Sequence, residues 1–201
     1  MKQKGNFIHW ICRLTSTPRF NGSYLFQPQS GADHAFRTSM IAMQIVDHYN
    51  AGKDIKDQIS REEVVLKALL HDVEESVIGD LPTPVKYITP DFREEFKKIE
   101  EKAIEDYVLR DAGPKAKEYK DLWQNAKNGQ SGKIIKLADK IEGFIKINFE
   151  ILHGNRGLES AYVETMQWFI EHPEMLKEFS YADKLVKEYQ IPRLDLLMKK
   201  G

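Results

Sequence analysis

A disulfide framework is the first thing these 201 residues lack, because the chain carries a single cysteine, Cys12, and no intramolecular bridge can form. Its neighbours Trp10 and Ile11 are apolar, so a partly buried, ordinary thiol and a reducing cytoplasm are expected. Charge of one sign is missing too. Lys and Arg total 30 against 31 Asp and Glu, a formal net charge of -1, which leaves no bulk field for wrapping a nucleic-acid polymer or lying on an anionic membrane. Anionic ligands would need a local cluster. No run reaches the roughly 18 apolar residues of a membrane span. Met1 to Gly5 leads into a short amphipathic segment rather than a long apolar one, so neither export signal nor membrane span is expected. Strand alternation bounded by hairpin turns is absent from every window.

What remains is helical periodicity in a chain with 41% hydrophobic residues, enough for one globular domain over residues 1–201. Phe7, Ile8, Ile11 and Leu14 mark one face of a first helix that stops at Thr15-Ser16-Thr17-Pro18. Asp33 is a candidate cap for a second helix that turns Phe36, Met40, Ile41, Met43, Ile45 and Val46 toward a core and ends at Gly52. Ser60 caps a third, running from Glu62 through Ser76. A charged scaffold helix covers Phe92 to Leu109, another spans Lys117 to Ala126, and Asn128 to Gly132 reads as a flexible turn. Helices from Lys133, from Leu158 to Glu171 and from Met175 to Tyr189 complete the pattern, with Pro192 opening a tail that ends Lys199-Lys200-Gly201. The fold class is all-α.

Chemistry concentrates between Leu69 and Lys86. In a continuous helix His71 and Glu75 share a face, and Asp72 lies about 100° round the axis, so imidazole and carboxylate can converge on a cation. Burial next to Ala68-Leu69-Leu70 and Val73 favours that use over a solvated polar pair, since an ionised carboxylate near a core needs a partner. His34 is the first upstream candidate for a further ligand. Asp139, following Leu137-Ala138 near a buried face, is either another ligand or the partner of Lys133, Lys136 or Lys140. His9, His48, His153 and His172 read as structural, with His48 beside Asp47 a weak rival. The Gly79-Asp80-Leu81-Pro82-Thr83-Pro84 loop is stiffened by its prolines and would hold Asp80, Thr83 and Lys86 in set positions. From Pro18 to Asp33 a long aperiodic loop carries Arg19-Phe20. That pair suits gripping a phosphate and stacking on a base or sugar, or else is a surface arginine beside an anchoring ring.

His34, then His71-Asp72, then Asp139 resemble the H…HD…D order of the HD-domain metal-dependent phosphohydrolases. Within them the chain looks most like the bacterial 5′-deoxynucleotidases of the YfbR type. An arginine-aromatic pair precedes the first histidine, Glu75 stands third after Asp72, and Gly79 to Tyr87 runs Gly-Asp-Leu-Pro-Thr-Pro-Val-Lys-Tyr without a gap. Phe20 stands where the family commonly has tryptophan, and Asp33-His34-Ala35 where it often has Glu-His-Ser. Phage dATP triphosphohydrolases share the ligand order. The resemblance implies an HD-domain helical bundle with a metal site at its centre, holding one divalent ion such as Co, Mn or Zn on His34, His71, Asp72 and Asp139. It implies Glu75 and Asp80 as catalytic groups, and Arg19, Phe20, Pro82, Thr83 and Lys86 as substrate contacts. It further implies a cytoplasmic homodimer or higher oligomer hydrolysing 5′-deoxynucleotides, with dNTP triphosphohydrolysis, non-catalytic nucleotide sensing or a helical interaction scaffold as alternatives.

Overall fold

The computed structural model describes residues 5–192 and Leu194, so the expectations for Met1 to Lys4 and for the tail ending Lys199-Lys200-Gly201 lie outside the described residues. Each early helix starts where a short polar side chain can take an orphan backbone N–H. Asn6 accepts from the His9 amide to open α1, Phe7–Arg13. Ser30, not Asp33, caps α2, Gly31–Asn50: its side chain accepts from the Asp33 amide while Asp33 reaches back to the Ser30 amide. Ser60 opens α3, Arg61–Leu70. Two short helices follow, α4 Glu75–Ile78 and α5 Thr83–Lys86. Thr89 then caps α6, Pro90–Ala103, which continues as a wider π-helical turn over Ile104–Val108. α7 covers Ala116–Gln124, α8 Gly129–Leu152, α9 Glu159–Glu171, α10 Pro173–Glu178 and α11 Ser180–Glu188. Among the described residues the one β feature is an isolated bridge between Pro18 and Ser30, which pinches the base of the Arg19-Phe20 loop.

The architecture is built on α2, which packs on both α3 and α8, with α9 against α8 and α11 against both α2 and α8. Ala42, Ile45 and Val46 of α2 meet Val64 and Ala68 of α3 and the apolar stripe of α8 from Ile134 to Ile151. A second cluster joins Trp10 and Leu14 to Leu70 and Val73, and to Ile104, Val108 and Leu109. The seam between the two clusters runs past His71 and Asp72.

Several local expectations are corrected. Phe36 of α2 is 62% exposed and Met40 is exposed too, because the helix meets its neighbours through Ala35, Thr38, Ser39 and Ala42, small side chains that permit close approach. In α1 Trp10 is buried and Ile8 exposed. Cys12 is exposed, on the outer side of that helix. The expected turn over Asn128 to Gly132 is mostly the first turn of α8, drawn into helix where the buried Ser131 hydroxyl meets Lys67 and Glu63. The helix expected over Met175 to Tyr189 is two, since Phe179 leaves helical geometry at φ -115 and ψ 74 and inserts its ring in the core.

Candidate metal centre and active site

The third helix does not run on through Ser76 as expected. After Leu70 the backbone bonds tighten from four residues back to three, with Val73 N bonded to Leu70 O, Glu75 N to Asp72 O and Ser76 N to Val73 O. The tighter turn aims His71 and Asp72 at the same point, and their Nε2 and Oδ2 lie 3.0 Å apart. Gly79, at φ +79, then lets the chain leave α4 in a conformation that a side chain would oppose.

His34, on α2, brings its Nε2 to 3.2 Å from His71 Nε2, 3.3 Å from Asp139 Oδ1 and 3.6 Å from Asp72 Oδ2. Ligand atoms of His34, His71 and Asp139 all lie within 4.8 Å of one another. Both rings are oriented from behind. His71 Nδ1 donates to the Ala68 carbonyl at 2.7 Å, and His34 Nδ1 to Glu142 Oε2 at 2.7 Å. With a proton on each Nδ1, both Nε2 lone pairs face inward, toward each other and toward two carboxylate oxygens. Burial and the Arg19 charge push His34 down, yet Asp139, Asp72 and Glu142 outweigh them and raise its pKa to about 10. The point where these atoms meet demands positive charge. A single proton satisfies one such contact, whereas a divalent ion accepts electron pairs from all of them, and two imidazoles with two carboxylates suit a first-row transition ion. The donor set therefore fits the expected metal.

Burial raises the Asp139 and Asp72 carboxyls, but neighbouring cations hold both well below the usual range: chiefly Lys127 for Asp139, and His71 with Lys127 for Asp72. Lys127 is thus the partner that Lys133, Lys136 and Lys140 were expected to supply. Lys133 instead pairs with Glu178 and Lys140 lies over the Trp168 ring. Arg19 approaches Asp72 Oδ2 at 3.6 Å. Glu75 is buried, its Oε1 held by Lys86 Nζ at 3.1 Å and its Oε2 without a hydrogen-bond partner. Burial first, then Asp72, raises its pKa to about 7, with Asp80 adding to the rise and Lys86 opposing it. Phe20 is half-buried against the main core with a left-handed φ of 58°. Thr83 is exposed at the start of α5 and Pro82 half-buried before it. Of the other histidines, His48 stacks on Tyr181, His153 and His172 bond backbone carbonyls one turn back, and His9 meets Trp10 edge-on.

Sequence reasoning missed three supports. Glu142, one turn after Asp139 on the buried face of α8, orients His34 and is itself held by Gln29 Nε2 at 2.6 Å; an acidic residue beside Ile141 was the available signal. Glu74 is buried and accepts from Trp123 Nε1 at 2.7 Å, tying α7 to the His71-Asp72 turn. The Arg19-Phe20 loop is clamped from α8. Glu150, fully buried, accepts from the Phe26 and Gln27 amides, from Asn155 Nδ2 and from Lys146 Nζ, and Lys146 also donates to the Gln27 carbonyl.

The family model of the YfbR-like 5′-deoxynucleotidases matches residues 6–189. A 5′-deoxynucleotidase of Vibrio atlanticus is 30% identical over 166 residues, 80% of this chain and 82% of that one. The 5′-deoxynucleotidase YfbR of Salmonella arizonae is 30% identical over 80% of each chain. Among solved structures, an HD-domain phosphohydrolase from Listeria innocua superimposes with a TM-score of 0.71 at 24% identity, covering 96% of this chain and 97% of the other. The cyanophage S-2L HD phosphohydrolase, bound to dA and one catalytic Zn2+ ion, gives a TM-score of 0.62 at 17% identity over 96% of both chains. These two structures share the fold. The family match reaches from α1 to the end of α11, across every element that frames the histidine-aspartate cluster, and on that basis the chain belongs to the YfbR-like 5′-deoxynucleotidase family.

Proposed function

We propose that this chain hydrolyses the phosphate ester of 2′-deoxynucleoside 5′-monophosphates, releasing deoxynucleoside and orthophosphate, and that residues 1–201 form a single domain for the purpose. The observation that carries the reading is the 3.2 Å approach of two inward-facing Nε2 atoms with two carboxylates beside them, inside a chain of this family. His34, His71, Asp72 and Asp139 would hold one divalent ion such as Mn, Co or Zn. When bound, such an ion supplies Lewis acidity at phosphorus and lowers the pKa of water.

The side chains divide the remaining work. Arg19 offers its guanidinium to the phosphate oxygens, a geometry suited to paired bonds, with Lys86 an additional positive charge beside Glu75. Glu75 is the proton carrier. Its unpartnered Oε2 and a pKa near 7 let it take a proton from the attacking water as the O–P bond forms, then return it to the 5′-oxygen as the P–O5′ bond breaks. Asp80 raises the proton affinity of Glu75 and is the second candidate for the same transfer. Phe20 packs on the sugar, with Pro82 and Thr83 closing that side. Deoxy selectivity arises because a 2′-hydroxyl finds crowding and no partner there. The proposal includes a cytoplasmic location and assembly as a homodimer or larger, which light scattering of the purified chain would check.

Orthophosphate release from matched deoxy- and ribonucleoside mono- and triphosphates, across several divalent ions, tests the reading. Release of orthophosphate from deoxymonophosphates supports it. Tripolyphosphate from deoxytriphosphates alone would replace it with the triphosphohydrolase reading, and equal turnover of ribonucleotides would remove the selectivity argument.

A further inference from the structure

Lys127 sits in the turn between α7 and α8, a stretch without periodicity that points to no function by sequence. Its Nζ lies 3.7 Å from Asp72 Oδ1 and 3.5 Å from Asp139 Oδ2. Those are the outer oxygens of the two carboxylates; the inner ones, Asp72 Oδ2 and Asp139 Oδ1, are those that face His34 Nε2. Lys127 therefore stands on the side of the cluster away from the histidines. Its side chain is 42% exposed, while both imidazoles are buried, which places it at the mouth. Arg19 reaches the other oxygen of the same Asp72 carboxylate. Two cations from different parts of the chain thus flank one edge of the site.

The backbone that carries this lysine is fixed. Ala126, just before it, is buried, and Trp123 is bonded to Glu74 beside the His71-Asp72 turn. Gly132, in the first turn of α8, packs directly under Lys127: a Cβ at position 132 would lie 2.2 Å from the Lys127 carbonyl carbon and 3.0 Å from its Cα. Such a distance is unattainable without moving the turn. A pinned backbone with a half-exposed, flexible tip is the arrangement of an arm that reaches for something.

We propose that Lys127 is a phosphate-binding residue that, with Arg19, grips the nucleotide phosphate from two sides at the mouth of the site. The inference rests on the function proposed above. Its physical basis is charge. A divalent ion between the histidines takes over the compensation of Asp72 and Asp139, and like charge then repels the lysine from it. An ammonium on a long stem with three donors is suited to swing a short distance onto an incoming phosphate dianion. With the ion already balancing Asp72 and Asp139, the lysine gives up a pairing that has been replaced.

The test compares the wild-type chain with Lys127→Met, Lys127→Arg and Gly132→Ala, each loaded with the divalent ion that the wild type binds in a calorimetric titration. Readouts are kcat and KM for deoxymonophosphates, inhibition by orthophosphate and by the deoxynucleoside product, and calorimetric binding of orthophosphate without turnover. We expect Lys127→Met to weaken KM and orthophosphate binding about tenfold or more, the loss of one charge-assisted bond. Deoxynucleoside inhibition stays within about twofold, since that ligand carries no phosphate and the bond is not missed. Lys127→Arg recovers most of the loss. Gly132→Ala, which keeps the charge and displaces the turn, behaves like Lys127→Met. Unchanged orthophosphate binding in Lys127→Met, or equal weakening of phosphate and deoxynucleoside, overturns the proposal. Calorimetry keeps this separate from the activity itself: a wild type that binds orthophosphate through Lys127 yet hydrolyses no deoxynucleotide would sink the proposed reaction and leave the anion site standing.

Discussion

Replacing Glu150 by alanine probes the clamp that holds the Arg19-Phe20 loop against α8. The substitution removes the acceptor of two backbone amides, of the Asn155 side chain and of the Lys146 ammonium at once. Lys146 is 2% exposed and keeps the Gln27 carbonyl and the face of the Phe149 ring, neither of them an anion, so a charge is left buried without a counter-charge. Breaking a buried pair by deleting one partner costs about 3–5 kcal/mol, whereas replacing both partners by apolar groups is often neutral. From a total of roughly 5–15 kcal/mol that is a large share, and for a chain of this size it lowers Tm on the order of 10 °C. Denaturation followed by circular dichroism measures the cost. The Lys146→Met, Glu150→Leu double variant should recover most of the stability but not the activity, because the Phe26 and Gln27 amides remain unheld. A double variant no more stable than Glu150→Ala would refute the buried-charge argument. The same pair has a pH signature. Burial alone raises the Glu150 carboxyl, but Lys146, Asn155 and the two amides hold it at about 2. Being below the unfolded carboxylate value of about 4.3, its stabilisation is complete above that value and is lost as pH falls toward 2.

Glu75→Gln should lower kcat by about 100-fold or more while phosphate binding persists, and a fully active variant would remove this carboxylate from the reaction. In the wild type the rate should rise with pH through a midpoint at or below about 7, since the carboxylate works ionised and a bound cation can only pull its pKa lower. A rate that falls as pH rises from 5 to 7 contradicts that role. Glu142→Ala should weaken divalent-ion binding about 10- to 100-fold in a calorimetric titration. Glu142→Gln should be milder, because the Gln29 carbonyl oxygen has no partner and a flipped amide can accept from the new side chain; equal losses in both would speak against this account. Phe20→Gly should be more stable than Phe20→Ala by about 1 kcal/mol, the left-handed strain that alanine keeps. Both should raise KM, and an alanine variant as stable as the glycine one would show the loop to be unstrained.

The parts of this site legible in the residues themselves are those whose chemistry is local, while the distant His34 and Asp139 enter as ligands chiefly through the resemblance. His71 and Asp72 are adjacent, Glu75 follows by one turn, and Gly79 to Tyr87 is a continuous motif. The switch from α-helical to tighter bonding after Leu70 left no trace, since His71 at φ -60, ψ -26 and Glu74 at φ -60, ψ -27 keep right-handed dihedrals and helical periodicity. The buried face of α2 was misread for a related reason. Periodicity weighted toward large side chains selected Phe36 and Met40, whereas the close contact with α3 and α8 is made by alanine, serine and threonine. Lys127 was beyond reach because its approach to Asp72 and Asp139 depends on how a turn seats on Gly132, a fact of tertiary packing alone.

The site lies where two apolar clusters abut, with Ala68 in one and Leu70 and Val73 in the other, so the His71-Asp72 turn is stitched to both. His34 and Asp139 are anchored in helices of the larger cluster. An ion gripped by all four side chains would act as a rivet across that boundary, and any parting of the halves would have to break it. Loading would then register as heat resistance of the entire chain, about 2.7 kcal/mol when the free ion stands at a hundred times its dissociation constant. A melting curve taken with and without the ion would thereby report occupancy before any substrate is chosen.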